Sequence, residues 1–273
     1  MEGSLGIIGA GSMAEALLKG MLSCQLFSPG NIFVINRKND ERLIFFKENY
    51  GVNTTRDYRE LVNRCAIIII AVKPSDMGEL LTRIQEHVTR NHIIISVAAG
   101  IHTSFIEKRL KKKVQVVRAM PNTSCQVKES ATAISRGRFA GDEAVKVAQE
   151  IFSSVGKVVI VEEHALDAVT ALSGSGPAYV YLMLEAMTEA GIKVGLMREV
   201  SQQLAIQTVF GAAKMAMESG EAPVHLRKKV TSPGGTTMAG ISTLQQMGFT
   251  ASIMEAIRCA AERSRQMMIE NSR

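Results

Sequence analysis

The sequence predicts an α/β protein with two domains, in which a doubly wound parallel sheet is followed by an all-helical domain. Three observations support this prediction. The first 162 residues alternate short β-branched runs with helical segments, strand signals then stop, and helix formers such as Ala, Met, Leu and Glu dominate the remainder. We therefore expect one domain over residues 1–162 and a second over residues 163–273.

The strands of the first domain are predicted by runs that are apolar at nearly every position. This is the pattern that strands require when both faces of a parallel sheet are covered by helices. Two later runs, at residues 131–135 and 157–161, extend the sheet. The five central strands are predicted at residues 5–9, 32–36, 66–72, 92–100 and 115–120.

The first strand runs into a glycine-rich turn, Gly9-x-Gly11-x-x-Ala14, that opens a helix. Glycines in this position let the backbone turn tightly and approach a pyrophosphate at the helix N-terminus, and a small residue at Ala14 allows close packing. The context predicts a Rossmann-type, dinucleotide-binding fold, although a ligand-free tight turn would show the same letters. The expected cofactor contacts here are Gly9, Ala10, Gly11, Ser12 and Met13.

The end of the second strand indicates which dinucleotide is bound. An NAD site usually has an acidic residue here, whereas this sequence has Asn36, Arg37 and Lys38. Two cations suit a 2′-phosphate, so we expect NADPH as cofactor with NADH possible. The alternative is that Arg37 and Lys38 belong to a solvated loop.

Two other strand ends should reach the same crevice, because ligands of open α/β sheets bind at the carboxyl ends of the strands. The stretches AVKP and SVAAG place small or turn residues there. Lys73 could alternatively be a simple surface charge. The cofactor contacts expected from these stretches are Ala71, Val72, Lys73, Pro74, Val97, Ala98 and Ala99.

The helical domain offers little that could act as a general base for alcohol oxidation. We expect both His164 and His225 to be surface residues, and neither Lys193 nor Lys214 has the Asn four residues later that β-hydroxyacid dehydrogenases share. Reduction of a C=N bond demands less, because an iminium already has its proton. The lack of an evident general base is therefore compatible with a reductase of C=N bonds.

Two loops rich in Gly and Ser precede predicted helices in the second domain, at residues 173–177 and 230–237. Such loops direct backbone N–H groups at a helix N-terminus, where a substrate carboxylate can bind. Pro177 stands where a helix tolerates proline. Each loop could alternatively be a plain helix-to-helix turn.

Taken in order, IGAGSMAEALLKG, AVKP, SVAAGI, ALSGSGPAYVYLMLEAMTEAGIKVGL and VTSPGGTTMAGI resemble the pyrroline-5-carboxylate reductase family. The resemblance covers nearly the whole chain. It implies NAD(P)H-dependent reduction of a cyclic imine carboxylate to L-proline, in a homo-oligomer built from dimers whose helical domains interlock. Where the family often has an Asn near the adenosine, this sequence has Tyr58.

The resemblance also implies roles for individual residues. Thr237 is expected to face the imine nitrogen as the catalytic residue, and Glu163 to lie near the substrate. The substrate-binding residues implied as a set are Glu163, Ser173, Gly174, Ser175, Gly176, Pro177, Gly235, Thr236 and Thr237. A β-hydroxyacid dehydrogenase, a general imine reductase and a non-catalytic nucleotide-sensing regulator remain the alternatives.

Composition excludes other classes of function. Hydrophobic residues make up 46% and charged residues 21%, as in soluble globular proteins. The longest apolar runs are too short to cross a bilayer and no leader segment is evident, so we expect a cytoplasmic protein without a membrane partner. A net charge of +6 with only 5% aromatic residues suits anionic small molecules better than nucleic acid. The four cysteines are scattered, which predicts free thiols and no metal site.

Overall fold

The computed structural model describes residues 3–271. Residues 1–2 and 272–273, which the predicted domain bounds include, lie outside the described residues. By the contacts among its residues the chain divides into two compact units, one comprising the described residues of Met1–Ser175 and Cys259–Arg273, the other Gly176–Arg258. The domain boundary expected between residues 162 and 163 stays a prediction.

Strands alternate with α-helices up to residue 160, except that a 3-10 turn over Thr123–Val127 replaces the helix between the sixth and seventh strands, and the chain is helical after residue 160. The strands are β1 (Leu5–Ile8), β2 (Ile32–Ile35), β3 (Asn53–Thr55), β4 (Ile67–Ile70), β5 (Ile93–Ser96), β6 (Gln115–Met120), β7 (Ser130–Arg136) and β8 (Gly156–Ile160). The helices are α1 (Ser12–Ser23), α2 (Asp40–Tyr50), α3 (Tyr58–Arg64), α4 (Met77–Ile84), α5 (Thr103–Leu110), α6 (Asp142–Ser153), α7 (Leu166–Val169), α8 (Gly176–Lys193), α9 (Arg198–Ser219), α10 (Pro223–Lys229), α11 (Thr236–Gln246) and α12 (Phe249–Asn271).

The strands form one sheet in the order β3-β2-β1-β4-β5-β6-β7-β8. From β3 to β6 each neighbouring pair is parallel, with Leu5 of β1 opposite both Ile32 of β2 and Ile67 of β4. Strand order therefore reverses direction beside β1, and this is the point at which doubly wound sheets bind ligands. The doubly wound fold expected from the sequence is confirmed.

The sheet separates two apolar cores. Because side chains of a strand alternate between faces, Ile67 and Ile69 pack into one core while Ile68 and Ile70 pack into the other. All four residues of β1 are buried in the same way. The strands have continuous isoleucine runs because both faces of the sheet are covered by apolar cores.

Three features of this unit differ from the sequence expectations. The three-residue strand β3 lies at the sheet edge, and its polar residues gave no strand signal. The strand β7 pairs antiparallel with β6, so the sheet is not parallel throughout. Residues 170–174 form a π-helical segment rather than a loop.

The second unit is helical, and α8 packs against α9 within it. Gly191 makes this approach possible, since a Cβ there would lie 2.1 Å from Ser201 Oγ. That hydroxyl donates to the Thr188 carbonyl oxygen at 2.7 Å, which joins the two helices. Loop residues 230–235 lead into α11, as the sequence predicts for this stretch.

Candidate functional site

A cavity of about 510 Å³ opens at the carboxyl ends of β1, β2 and β4. It lies beside the strand-order reversal, where the fold is expected to bind a ligand. Nine of the predicted cofactor residues are brought together here. Those lining the cavity are Gly9, Ala10, Gly11, Asn36, Arg37, Lys38, Ala71, Val72 and Lys73.

Six other predicted cofactor residues lie in neighbouring elements, outside the cavity lining that the described residues form. Ser12 and Met13 begin α1, Pro74 begins a 3-10 turn over Pro74–Asp76, and residues 97–99 follow β5. Their predicted contacts with a dinucleotide remain predictions.

The turn between β1 and α1 uses its two glycines differently. Gly9 has a φ of +112°, and a Cβ there would lie 2.3 Å from the Ala71 carbonyl oxygen, so the protein itself requires glycine. Around a Cβ on Gly11, by contrast, no described atom lies within 4 Å. The open side of Gly11, next to the first amides of α1, fits the pyrophosphate of a dinucleotide.

A cluster of side chains fastens this turn to α1 and α2. Arg42 donates from Nε to the Ala10 carbonyl oxygen at 2.9 Å and from Nη2 to Glu15 Oε2 at 2.7 Å. Burial works to raise the pKa of Glu15, but hydrogen bonds from Arg42, Lys19 and Tyr50 outweigh it and lower that pKa to about 2. Glu15 and Arg42 were missed from the sequence, because residues 27 apart carry no spacing signal.

The segment after β2 forms a turn at the rim of the cavity. Asn36 Oδ1 accepts hydrogen bonds from the amides of Lys38 and Asn39, both at 3.1 Å, and thereby shapes the turn. Arg37 is hydrogen-bonded to Glu79 of α4. The predicted phosphate-binding cation is therefore held by an acidic side chain that also lines the cavity.

Tyr58 also lines the cavity, at the start of α3. Burial raises the pKa of its phenol, and the Arg83 guanidinium carbon lies 5.9 Å from its ring centre. Sequence reasoning missed seven other cavity-lining residues. Two of them, Ile8 and Ile35, end the strands β1 and β2. The others come from the segment after β4, where helical periodicity alone does not reveal a ligand-facing side, and they are Ser75, Asp76, Glu79, Leu80 and Arg83.

Glu163 lies in a separate polar cluster of the first unit. It accepts hydrogen bonds from the Thr103 amide (to Oε1, 2.8 Å) and hydroxyl (to Oε2, 2.7 Å), and His102 Nδ1 lies 3.7 Å from Oε2. Arg118 Nη1 lies 3.7 Å from Oε1 as an ion pair. Glu163 is thus oriented by backbone, hydroxyl and charge together.

Arg118 is wholly buried at the base of this cluster. Its Nε, Nη1 and Nη2 have no hydrogen-bond partner among the described residues. Burial lowers the pKa of the guanidinium, and the charges of Glu163 and Asp167 oppose that shift. The sequence did not predict this buried cation, whose nearby opposite charges are those of Glu163 and Asp167. In the run QVVRAM, Arg118 looks like a single polar residue within an otherwise apolar strand.

The predicted substrate stretch at residues 173–177 runs through the end of the π-helical segment into α8. Ser173, Gly174 and Ser175 belong to the first unit, and Gly176 and Pro177 begin α8 in the second. The Ser173 carbonyl oxygen accepts from Asn122 Nδ2 at 2.9 Å. The backbone is helical where a loop was expected, and the Ser173 hydroxyl donates to the Val169 carbonyl oxygen, four residues earlier, at 3.2 Å.

The predicted carboxylate-binding residues lie at the start of α11 in the second unit. Gly235 is the N-cap, and its amide donates to the Ser232 carbonyl oxygen at 3.1 Å. Thr236 and Thr237 are the first two helical residues, whose amides have no intrahelical acceptor. Gly234, with a φ of +71°, bends the chain into this helix start.

Over residues 3–271, no cluster of three or more His, Cys, Asp or Glu side chains has a metal-binding arrangement. The helices of the same range include none that is both long and apolar enough to span a membrane.

Fold and cavity together define a Rossmann-type dinucleotide-binding protein. A family model described as NADP oxidoreductase, coenzyme F420-dependent, matches residues 4–100, and one described as pyrroline-5-carboxylate reductase dimerisation matches residues 163–267. The protein named pyrroline-5-carboxylate reductase 2 from Bacillus subtilis (strain 168) is 43% identical over 263 residues, covering 96% of this chain and 94% of the relative. The chain belongs to the pyrroline-5-carboxylate reductase family.

More distant relatives and solved structures agree. The pyrroline-5-carboxylate reductase of Arabidopsis thaliana is 39% identical, covering 96% of this chain and 95% of the relative. A pyrroline-5-carboxylate reductase structure from Coxiella burnetii has a TM-score of 0.91 at 36% identity, covering 98% of this chain and 99% of its own. The Plasmodium falciparum enzyme, solved with NADP bound, has a TM-score of 0.87 at 31% identity, covering 98% of each chain.

Proposed function

We propose that this chain catalyses the NAD(P)H-dependent reduction of 1-pyrroline-5-carboxylate to L-proline, the last step of proline biosynthesis. The observation that carries the proposal is similarity over nearly the full length, 43% identity across 96% of the chain, to a protein named for this reaction. The cavity beside β1, with the open flank of Gly11, supplies the matching cofactor site. The β-hydroxyacid dehydrogenase alternative has no comparable support.

The cofactor site is proposed to hold NADPH, with NADH as a second possible cofactor. NADPH, when bound, supplies the hydride that reduces the imine carbon. The amides after Gly9 and at the start of α1 bind its pyrophosphate, and the turn over Asn36, Arg37 and Lys38 receives the 2′-phosphate. Residues 71–74 and 97–99 are proposed to line the path from this site towards the reacting ring.

The substrate carboxylate is proposed to bind the helix start formed by Gly235, Thr236 and Thr237. Helix N-terminal amides stabilise an anion without any cationic side chain. The Thr237 hydroxyl is proposed to hydrogen-bond the imine nitrogen and to hold its proton in place. Glu163 is proposed to act near the substrate, and residues 173–177 to wall the pocket. Rate then comes mainly from positioning the two reacting carbons.

Assembly and location extend this proposal. The dimerisation family match over residues 163–267 supports a homo-oligomer built from dimers. The proposed domains are a dinucleotide-binding domain over residues 1–162 and a helical domain over residues 163–273. The small molecules bound are a cofactor and a cyclic imine carboxylate. A cytoplasmic location and the absence of a nucleic-acid partner remain predictions from composition.

The test is the initial rate of NADPH oxidation with 1-pyrroline-5-carboxylate, for the wild type and for Thr237→Ala. Loss of one positioned polar contact should slow turnover by about ten-fold or more. Thr243→Ala, six residues later on the same exposed helix, is the matched control and should keep nearly the full rate.

Two results would overturn the proposal. NADPH binding without turnover of the imine would favour the regulatory alternative. Oxidation of a 3-hydroxy acid by the purified protein would favour a β-hydroxyacid dehydrogenase. A Thr237→Ala variant as fast as the wild type would remove the role assigned to that hydroxyl while leaving the reaction intact.

A further inference from the structure

Two guanidinium groups converge on one carboxylate at the rim of the dinucleotide cavity. Arg37, which follows β2, is hydrogen-bonded to Glu79 Oε2. Arg83 of α4 donates from Nη2 and Nε to Glu79 Oε1, at 2.8 and 3.2 Å. Arg37 Nη2 also lies 3.7 Å from Asp76 Oδ1. All four side chains line the cavity.

The arrangement is more than a helix-surface ion pair. Arg83 and Glu79 are four residues apart on α4, and such pairs are common on exposed helices. Arg37, however, comes from a position 42 residues away, on the segment proposed to receive the 2′-phosphate. Hydrogen bonds from Arg83 and Arg37 lower the pKa of Glu79, so this carboxylate is ionised at neutral pH.

Two guanidinium groups around one anion are also the geometry that recognises a phosphate. Glu79 therefore occupies the place, between Arg37 and Arg83, that a 2′-phosphate would take. A phosphate dianion can pair with these cations only by displacing the carboxylate, and a carboxylate left nearby repels it. The ribose 2′-hydroxyl of NADH neither has to displace the Glu79 carboxylate nor is repelled by it, because a hydroxyl can donate a hydrogen bond to a carboxylate.

We propose that Glu79 is a specificity-determining residue that limits the preference for NADPH over NADH by engaging Arg37 and Arg83, and that Arg83 is a second ligand of the 2′-phosphate. The proposal rests on the dinucleotide-dependent function above. Tyr58 contributes by lying beneath the Arg83 guanidinium at the rim.

The test compares kcat/KM for NADPH and NADH in the wild type and in Glu79→Gln. The ratio of the two values should rise about five-fold or more, through a gain for NADPH, because a neutral amide neither holds the guanidinium groups as tightly nor repels the phosphate. NADPH carries the additional negative charge of its 2′-phosphate, so a long-range effect of removing one charge does not cancel in the ratio, and a charge-matched control is required. Glu41→Gln, an exposed residue of α2 outside the cavity lining, is the control for charge alone and should leave the ratio unchanged.

Direct binding gives a second readout that needs no turnover. Calorimetry with adenosine 2′,5′-bisphosphate and with AMP should show Glu79→Gln tightening only the bisphosphate. Arg83→Met should weaken the bisphosphate and leave AMP within about two-fold.

Failure of this inference and failure of the proposed function would give different results. An unchanged NADPH to NADH ratio in Glu79→Gln, or a ratio raised only by poorer NADH use, would overturn the inference. Wild-type protein that binds neither dinucleotide would instead overturn the proposed function, and the inference with it.

Discussion

Glu15 shows how much a single side chain can contribute beside the cofactor turn. It accepts hydrogen bonds from Arg42 and Tyr50 and pairs with Lys19, and its side chain is 18% exposed. The resulting pKa of about 2, against an ordinary 4.5, means that the folded chain binds a proton at Glu15 less readily than the unfolded chain. Folding stability is therefore linked to pH through this residue.

The expected consequence is a pH-dependent loss in Glu15→Gln. The full shift corresponds to about 3 kcal/mol, which solvent screening reduces to about 1–2 kcal/mol in the free energy of unfolding. This contribution is complete above about pH 5 and disappears as pH falls through 4.5 towards 2. Urea unfolding at one protein concentration, at about pH 7 and about pH 3, measures it.

Glu48→Gln is the matched control, because Glu48 is exposed near the end of α2. Its effect should stay within about 0.5 kcal/mol at either pH. A Glu15→Gln deficit that was equally large in acid and at neutral pH would contradict the ionic origin and point to packing instead.

At the scale of elements, the β1 to α1 turn separates what the fold needs from what the ligand needs. Gly9→Ala should destabilise the protein by more than 1 kcal/mol, because φ is positive and the new Cβ would meet the Ala71 carbonyl. Gly11→Ala should leave thermal stability almost unchanged and weaken NADPH binding about ten-fold or more, because its open flank is where the pyrophosphate approaches. Thermal unfolding and calorimetry separate the two.

A Gly11→Ala variant that bound NADPH as tightly as the wild type would show that the open flank of this turn does not face the ligand. Equal losses of stability in the two variants would mean that both glycines serve the fold, and the distinction would fail.

The same scale shows which elements the sequence could predict. Runs such as residues 67–70 are short, β-branched and apolar at every position, as a strand covered on both faces requires, so these strands could be placed from the sequence. The cavity residues at the ends of β1, β2 and β4 followed from the same pattern, because parallel strands end at one edge.

Other elements depend on contacts that the local pattern does not contain. The strand β3 is held by pairing with β2 and not by apolar burial. The reversal before β7 uses Lys128 at a φ of +62°, a conformation for which Gly or Asn would be the usual signal. The Arg37, Glu79 and Arg83 group joins segments that meet only in the folded sheet, so no spacing rule could have found it.

At the scale of the whole molecule, the helical unit presents apolar side chains that its own packing does not cover. Among the described residues of α8 only Thr188 is buried, although the helix is mostly apolar in sequence. On α9, Ile206, Phe210 and Met217 fall on one face and are all exposed, Phe210 by 58%. Monomeric proteins rarely leave such faces in water. The match to a dimerisation family over residues 163–267 supports a second copy of the chain as the cover.

The last prediction follows from this face of α9. Light scattering should give the wild type a mass of two chains or a multiple of two, and Ile206→Glu or Phe210→Glu should lower that mass and the thermal unfolding temperature together, because a buried, unpaired carboxylate opposes association. Ile44→Glu is the matched control, since Ile44 on α2 is 53% exposed and lies outside the dimerisation match. It should keep the wild-type mass. A monomeric wild type, or dissociation by Ile44→Glu alone, would show that α9 does not form the subunit interface.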